Sequence, residues 1–139
     1  MVSNLTQHPI AVIGAGSWGT SLALHLSKKG CLVRLWGFDP HHVKKLQHER
    51  QNNRYLPGII FPETLSPTDN LKEAVSGSPT ICMVVPSHGY REVFKNVVRY
   101  LDNDAVAISA TKGVENGTLQ TMSQIMADVI NGTETTLSI

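Results

Sequence analysis

Apolar residues along the chain fall into short continuous runs that alternate with longer stretches of helical spacing. Ile10 to Ile13 is a four-residue apolar run that stops at Gly14, the pattern of a buried strand. From Ser17 to Lys29, Trp18, Leu22, Ala23 and Leu26 recur at helical intervals. Gly30 ends that helix, with Lys28 and Lys29 in its last turn, where cations suit the helix dipole. Cys31 to Trp36 predicts a second strand, mostly apolar but with Arg34 inside it. Asp39 followed by Pro40 has the chemistry of an N-cap and a first helical residue, so a short helix is expected through about Arg50. Gln51 to Pro67 carries Pro57, Gly58, Pro62 and Pro67 and reads as a loop followed by a short strand near Ile59 to Leu65. Asn70 to Val75 reads as a brief helix.

The second half is more regular. Thr80 to Val85 predicts a buried strand ending at Pro86. Tyr90, Val93, Phe94, Val97, Val98 and Leu101 repeat as one face of an amphipathic helix. Ala105 to Ser109 reads as another strand, and Leu119, Met122, Ile125, Met126, Val129 and Ile130 mark a last helix. The tail from Asn131 is polar until Leu137, with room for one more strand. Strand and helix in alternation imply an α/β fold with a parallel sheet and helices on both faces. Right-handed crossovers leave a Rossmann-like, doubly wound sheet as the natural topology.

A chain of 139 residues has room for one domain, read as 1–139 with irregular ends at 1–8 and 131–139. Hydrophobic residues make up 41% and charged residues 17%, which argues against disorder. A net charge of +1 offers no footprint for nucleic acid. No apolar run approaches the ~20 residues of a membrane span, and the first eight residues show no basic-then-apolar secretory pattern. Cys31 and Cys82 are too few for a disulfide scaffold or a cysteine-rich zinc site; they read as buried, inert thiols in a reduced, cytoplasmic protein. His41, His42 and His48 lack a completed metal-ligand set and read as a solvated helix face, so no metal is expected. Ser87 beside His88 reads as a helix cap rather than part of a catalytic triad.

Gly14-Ala15-Gly16-Ser17-Trp18-Gly19 matches G-x-G-x-x-G between a predicted strand and a predicted helix, the context in which that motif cradles a dinucleotide. Gly14 permits the tight turn, Gly16 lets the backbone approach a pyrophosphate, and Gly19 lets helix and strand pack closely. Unpaired amides at the helix start would meet phosphate oxygens. A ribose-binding acid is expected about 20 residues on. Asp39 lies there, and its two readings, ribose ligand and N-cap, stay open. Phe38 reads either as a platform for an adenine face or as a residue under the sheet edge. Lys112 follows a predicted strand at the carboxyl edge of the sheet, and every other charged residue after Leu101 is acidic. It suits an anionic substrate, with a solvated surface lysine as the alternative. The seven basic and two acidic residues from Lys28 to Arg54 read as helix-surface charge, with phosphate steering as the alternative.

GAGSWGT, LWGFDP, NNRYLPG, VVPS and ATKGVE, in this order and spacing, resemble the NAD(P)-dependent glycerol-3-phosphate dehydrogenases, above all their bacterial, phospholipid-supplying branch. The resemblance runs from about Ile10 to Leu137. Its specific part is Asn53 to Gly58 together with Thr111-Lys112-Gly113; ketopantoate reductases and 6-phosphogluconate dehydrogenases share only the glycine loop. The resemblance implies reversible reduction of dihydroxyacetone phosphate by NAD(P)H to sn-glycerol 3-phosphate. It implies Ser17 and Trp18 as a cofactor-binding pair and Pro86 as a turn beside the cofactor. Lys112 becomes a lysine that contacts both cofactor and phosphorylated substrate. Phe38 falls where NADP-preferring members often carry Arg or His. With Asp39 beside it, NAD(H) is expected to bind at least as well as NADP(H).

The family also has a second, all-helical domain that supplies a general-acid lysine, and full-length members are homodimers. Leu137-Ser138-Ile139 stands where the family typically reads LSG and continues, so these 139 residues alone are expected to be inactive. A stand-alone dinucleotide-binding module, and a dehydrogenase for another small phosphorylated or carboxylated substrate, remain as alternatives.

Overall fold

Successive residues of the first strand feed two different cores. The computed structural model describes residues 8–139 and opens on β1, Ile10–Ile13. Ala11 and Ile13 belong to one buried cluster and Val12 to another, as the two-residue period of a strand requires. Around β1 runs a five-stranded sheet, all parallel, in the order β5-β2-β1-β6-β7. Its other strands are β2 (Val33–Trp36), β5 (Leu65–Thr68), β6 (Thr80–Met83) and β7 (Val106–Ser109). Helices α1 (Ser17–Lys28) and α2 (Pro40–Glu49) cover one face through Ala23, Leu24 and Leu46. Helices α3 (Leu71–Val75), α4 (Tyr90–Val98) and α5 (Met122–Asn131) cover the other through Val75, Phe94 and Ile125. The sheet is thus doubly wound and Rossmann-like.

Local chemistry sets the helix boundaries. Asp39 caps α2, its carboxylate accepting from the His41 N–H at 2.9 Å, and Asn70 caps α3 in the same way through Glu73. Thr121 and Gln124 form a reciprocal capping box at the start of α5. That box corrects the last helix: Leu119 lies before it, with φ of 58° and an exposed side chain. Arg34, the charge inside a strand, donates to the Glu73 and Ser76 carbonyls at the end of α3, at 2.8 and 2.6 Å. It supplies partners that those terminal carbonyls lack within the helix.

Residues 51–68 differ most from the sequence reading. In place of a strand near Ile59 to Leu65 there is an antiparallel pair, β3 (Gln51–Asn52) with β4 (Leu56–Ile60), and then β5. Pro67 sits inside β5, which is an edge strand of the sheet, the position where a missing N–H is tolerated. The tail approaches the other edge: the Ala107 N–H donates to the Ser138 carbonyl at 2.8 Å, and the Ser138 N–H returns to Ala105. Cys31 precedes β2 rather than lying in it, and both cysteines are half-buried rather than fully buried. Burial still pushes the Cys82 thiol up. Of the irregular N-terminal end expected over residues 1–8, residues 1–7 lie outside the described part. No helix among the described residues is long and apolar enough to cross a membrane.

Candidate functional site

Strand order reverses between β1 and β6. The chain leaves β1 through α1 toward β2 on one side and leaves β6 through α4 toward β7 on the other. At the carboxyl ends of the strands this reversal opens a crevice. An open cleft of about 580 Å³ lies there. Following the strand order, its wall passes from Phe38 and Asp39 after β2, through Gly14 to Gly19 after β1, to Pro86 after β6 and Lys112 after β7. Ser17 and Trp18 line it at the start of α1. Every site residue singled out in the sequence therefore borders one cavity.

The three glycines of the loop are glycine for different reasons. Gly14 has φ of 129°, and a Cβ there would run into the Val84 carbonyl. A Cβ on Gly19 would collide with the Gly14 carbonyl oxygen. Gly16 has an ordinary extended backbone, φ −78° and ψ −169°, and a Cβ there would meet no atom within 4 Å. Neither the turn nor the packing of this fold demands glycine at that position. Gly16 is also the N-cap of α1, and no side chain caps that helix. The amides of its first turn consequently face the cleft without an intrahelical acceptor.

Asp39 occupies both of its expected places. It caps α2 and it borders the cleft, with Oδ2 4.0 Å from Arg54 Nη1. Partial desolvation raises its carboxyl, but the backbone N–H groups of His41 and His42 and their rings outweigh this and hold it below the usual carboxylate value. Phe38 is 84% exposed, which removes the reading of a residue under the sheet edge; it stands at the rim, edge-on to Trp36. Lys112 is exposed, and among the described residues no carboxylate lies within ion-pair reach of it. Its place is set by Thr111, whose hydroxyl lies 2.9 Å from the Val85 carbonyl and 3.2 Å from that of Met83 and donates to them. That tie holds the loop after β7 against the loop after β6.

Sequence reasoning missed a second wall. Asn52, in β3, is fully buried. Its amide donates to the Ala15 carbonyl at 3.1 Å and to Thr20 Oγ1 at 2.8 Å. Its oxygen accepts from the Tyr55 N–H and from His42 Nε2, so His42 carries a proton on Nε2. His42 is thus half-buried beneath the cleft, edge-on to Tyr55 at 5.4 Å, and not part of a solvated face; His41 and His48 are exposed. Asn52 binds the β3–β4 turn, with Arg54 and Tyr55, to the glycine loop itself. The signal was present in the NNRYLPG stretch, but its partners at Ala15, Thr20 and His42 are remote in sequence. Ser87 does not cap a helix by its side chain: it opens a 3₁₀ turn over Ser87–Gly89 whose backbone leads into α4.

The family described as NAD-dependent glycerol-3-phosphate dehydrogenase N-terminus matches residues 9–139. The chain belongs to this family. It is 53% identical over 126 residues to a glycerol-3-phosphate dehydrogenase [NAD(P)+] of Desulfotalea psychrophila, covering 91% of this chain and 37% of that protein. It is 45% identical to the enzyme of the same name from Syntrophobacter fumaroxidans, covering 88% and 36%. The crystal structure of glycerol-3-phosphate dehydrogenase from Coxiella burnetii superposes with a TM-score of 0.86 at 40% identity, over 94% of this chain and 38% of that one. This member of the glycerol-3-phosphate dehydrogenase family therefore spans just over a third of the length of those relatives.

Proposed function

We propose that this chain holds the dinucleotide of a glycerol-3-phosphate dehydrogenase, which transfers hydride reversibly between NAD(P)H and dihydroxyacetone phosphate to give sn-glycerol 3-phosphate for phospholipid synthesis. Gly16 carries this reading. It is a glycine that the fold does not require, facing an open cleft, at the uncapped positive end of α1. A pyrophosphate needs a bare backbone at that point.

A bound nicotinamide dinucleotide supplies the hydride. The protein's part is to hold and orient. Backbone N–H groups at Ser17 and Trp18 donate to phosphate oxygens. The Asp39 carboxylate, ionised and fixed by its capping bond, accepts from ribose hydroxyls, and the exposed Phe38 ring offers an adenine platform. Val85 and Pro86 form the wall between the glycine loop and Lys112. The Lys112 ammonium attracts the substrate phosphate and stabilises negative charge developing on the carbonyl oxygen. The proton for that oxygen is assigned to the general-acid lysine of the family's second domain. A phosphorylated three-carbon ketone, a cytoplasmic location and a homodimeric full-length enzyme belong to the same reading, as does a single domain over 1–139.

Both tryptophans of the chain, Trp18 and Trp36, line the cleft, so NADH should quench their fluorescence. Gly16→Val should weaken NADH binding at least tenfold, about 1.4 kcal/mol, while the thermal transition stays where it is, because the new side chain enters open space. Equal affinity in the variant would place the phosphates elsewhere and overturn the reading.

A further inference from the structure

The Asp39 end of the cleft opens into a second pocket of about 400 Å³. The two share Asp39, His42 and Arg54, and the smaller one adds His41, Lys45 and Glu49. Its chemistry is mixed: two permanent cations, two carboxylates and two imidazoles. Both carboxylates already accept a hydrogen bond, Asp39 from the His41 N–H at 2.9 Å and Glu49 from Asn53 Nδ2 at 2.7 Å.

Arg54 is the exposed cation of this pocket that stands beside Asp39, and it is well placed. Its guanidinium lies 5.1 Å from the centre of the Tyr55 ring, a cation–π contact that holds the plane of the group without using its N–H donors. The turn that carries it is fastened through buried Asn52 to Ala15, within the glycine loop. The distance between Arg54 and the phosphate cradle is therefore built into the fold. Its contact with Asp39, at 4.0 Å between side chains that are 62% and 48% exposed, is long and solvated. Such a pair contributes little and exchanges readily.

These observations bear on a single substituent, the phosphate that distinguishes NADP(H) from NAD(H) at the adenosine ribose. An aspartate at the end of β2 favours a ribose with free hydroxyls and repels a 2′-phosphate. We propose that Arg54 is the residue that admits the 2′-phosphate: its guanidinium leaves Asp39 and takes the phosphate as a two-pronged donor, with Lys45 on the wall of the same pocket. Without that phosphate, Arg54 stays beside Asp39 and the carboxylate serves the ribose hydroxyls. One arginine thus lets one cleft accept both dinucleotides. The inference rests on reading the cleft as a dinucleotide site, and it adds a selectivity residue to that reading.

The test measures dissociation constants on the 139-residue chain for NADH and NADPH, and for 5′-AMP and adenosine 2′,5′-bisphosphate as adenosine-end probes. Arg54→Gln should weaken NADPH and the bisphosphate at least tenfold more than it weakens NADH and 5′-AMP. Arg54→Lys keeps the charge but not the fork, and should recover part of the loss. Asp39→Asn should move the ratio the other way, toward NADPH. Equal losses for both members of each pair in Arg54→Gln, or no loss at all, would overturn the assignment and leave the phosphate to Lys45 and the histidines. If neither NADH nor NADPH binds the unsubstituted chain, the dinucleotide reading itself falls, and this proposal with it.

Discussion

Asn52 uses both donors and both lone pairs of its amide from a position closed to solvent. Replacing it by Ala leaves the Ala15 carbonyl and the Thr20 hydroxyl without that partner, and frees the turn that carries Arg54. Each lost bond to a buried group costs about 1 kcal/mol net, more where a partner stays unsatisfied. Asn52→Ala should therefore lower unfolding free energy by about 2–3 kcal/mol, read as a fall in urea midpoint at unchanged slope. A loss below about 0.5 kcal/mol would show that the network is dispensable. The glycine loop was legible in the sequence because the positive φ of Gly14 and the contact of Gly19 with the Gly14 carbonyl arise locally, although Gly14 also answers to the remote Val84 carbonyl. Asn52 was not, because an asparagine between Gln51 and Asn53, in a stretch that runs on to Pro57 and Gly58, looks like loop, and nothing in its local sequence says that it is buried. Asp39 was half legible: its local role as a cap follows from the proline after it, and its place in the cleft follows only from where β2 ends.

Elements were readable where burial and periodicity agree. Strands β1 and β6 are continuous apolar runs because both faces are covered, and α4 shows its apolar stripe because one face meets the sheet. Strand β5 was hidden by Pro67, and β4 by Pro57 and Gly58, residues whose local preference is for turns but which an edge strand and a short hairpin accommodate. The polar tie between α4, α5 and the loop between β7 and α5, which adds to their shared apolar core, was equally hidden, because its partners are remote in sequence. Arg91 donates to both carboxylate oxygens of Glu115 at 2.8 and 2.9 Å, to Asp128 and to Gln120. The Arg91 hydrogen bonds hold the Glu115 carboxyl at about 2, below its ordinary value near 4.5, with Thr118 adding a further bond. A carboxylate with a lowered folded value stabilises the fold fully above its unfolded value and loses that contribution as pH falls through the folded one. The stability difference between the unsubstituted chain and Glu115→Gln should thus hold constant above pH about 5 and shrink between about 4.5 and 2. Urea midpoints across that range measure it; a difference independent of pH would mean that the pair contributes no charge-dependent stability.

At the scale of the molecule, two apolar clusters on opposite faces of one sheet give the chain the means to fold as given. The doubly wound order was legible because alternating strands and helices with right-handed crossovers allow little else. Folding and dinucleotide binding do not amount to turnover. The general acid and most substrate contacts are assigned to length that the relatives have and these residues do not include. Proton transfer by a positioned acid is worth roughly 10²–10⁴-fold. NADH oxidation with dihydroxyacetone phosphate by the 139-residue chain should accordingly fall at least a hundredfold below that of a full-length relative. A rate within about tenfold, or 1.4 kcal/mol in the barrier, would put the acid inside these residues, with Lys112 the first suspect.

The central claim concerns where the dinucleotide lies, and amide-resolved NMR of the labelled chain during titration with NADH addresses it directly. The account predicts that the amides of Ser17 and Trp18, of Gly37 to Asp39, and of Thr111 and Lys112 shift together with one dissociation constant. Gly30, Gly77 and Asn103, which precede β2, β6 and β7 at the opposite edge of the sheet, should stay in place. Shifts centred on that opposite edge, or none in the glycine loop once NADH is in large excess, would contradict it.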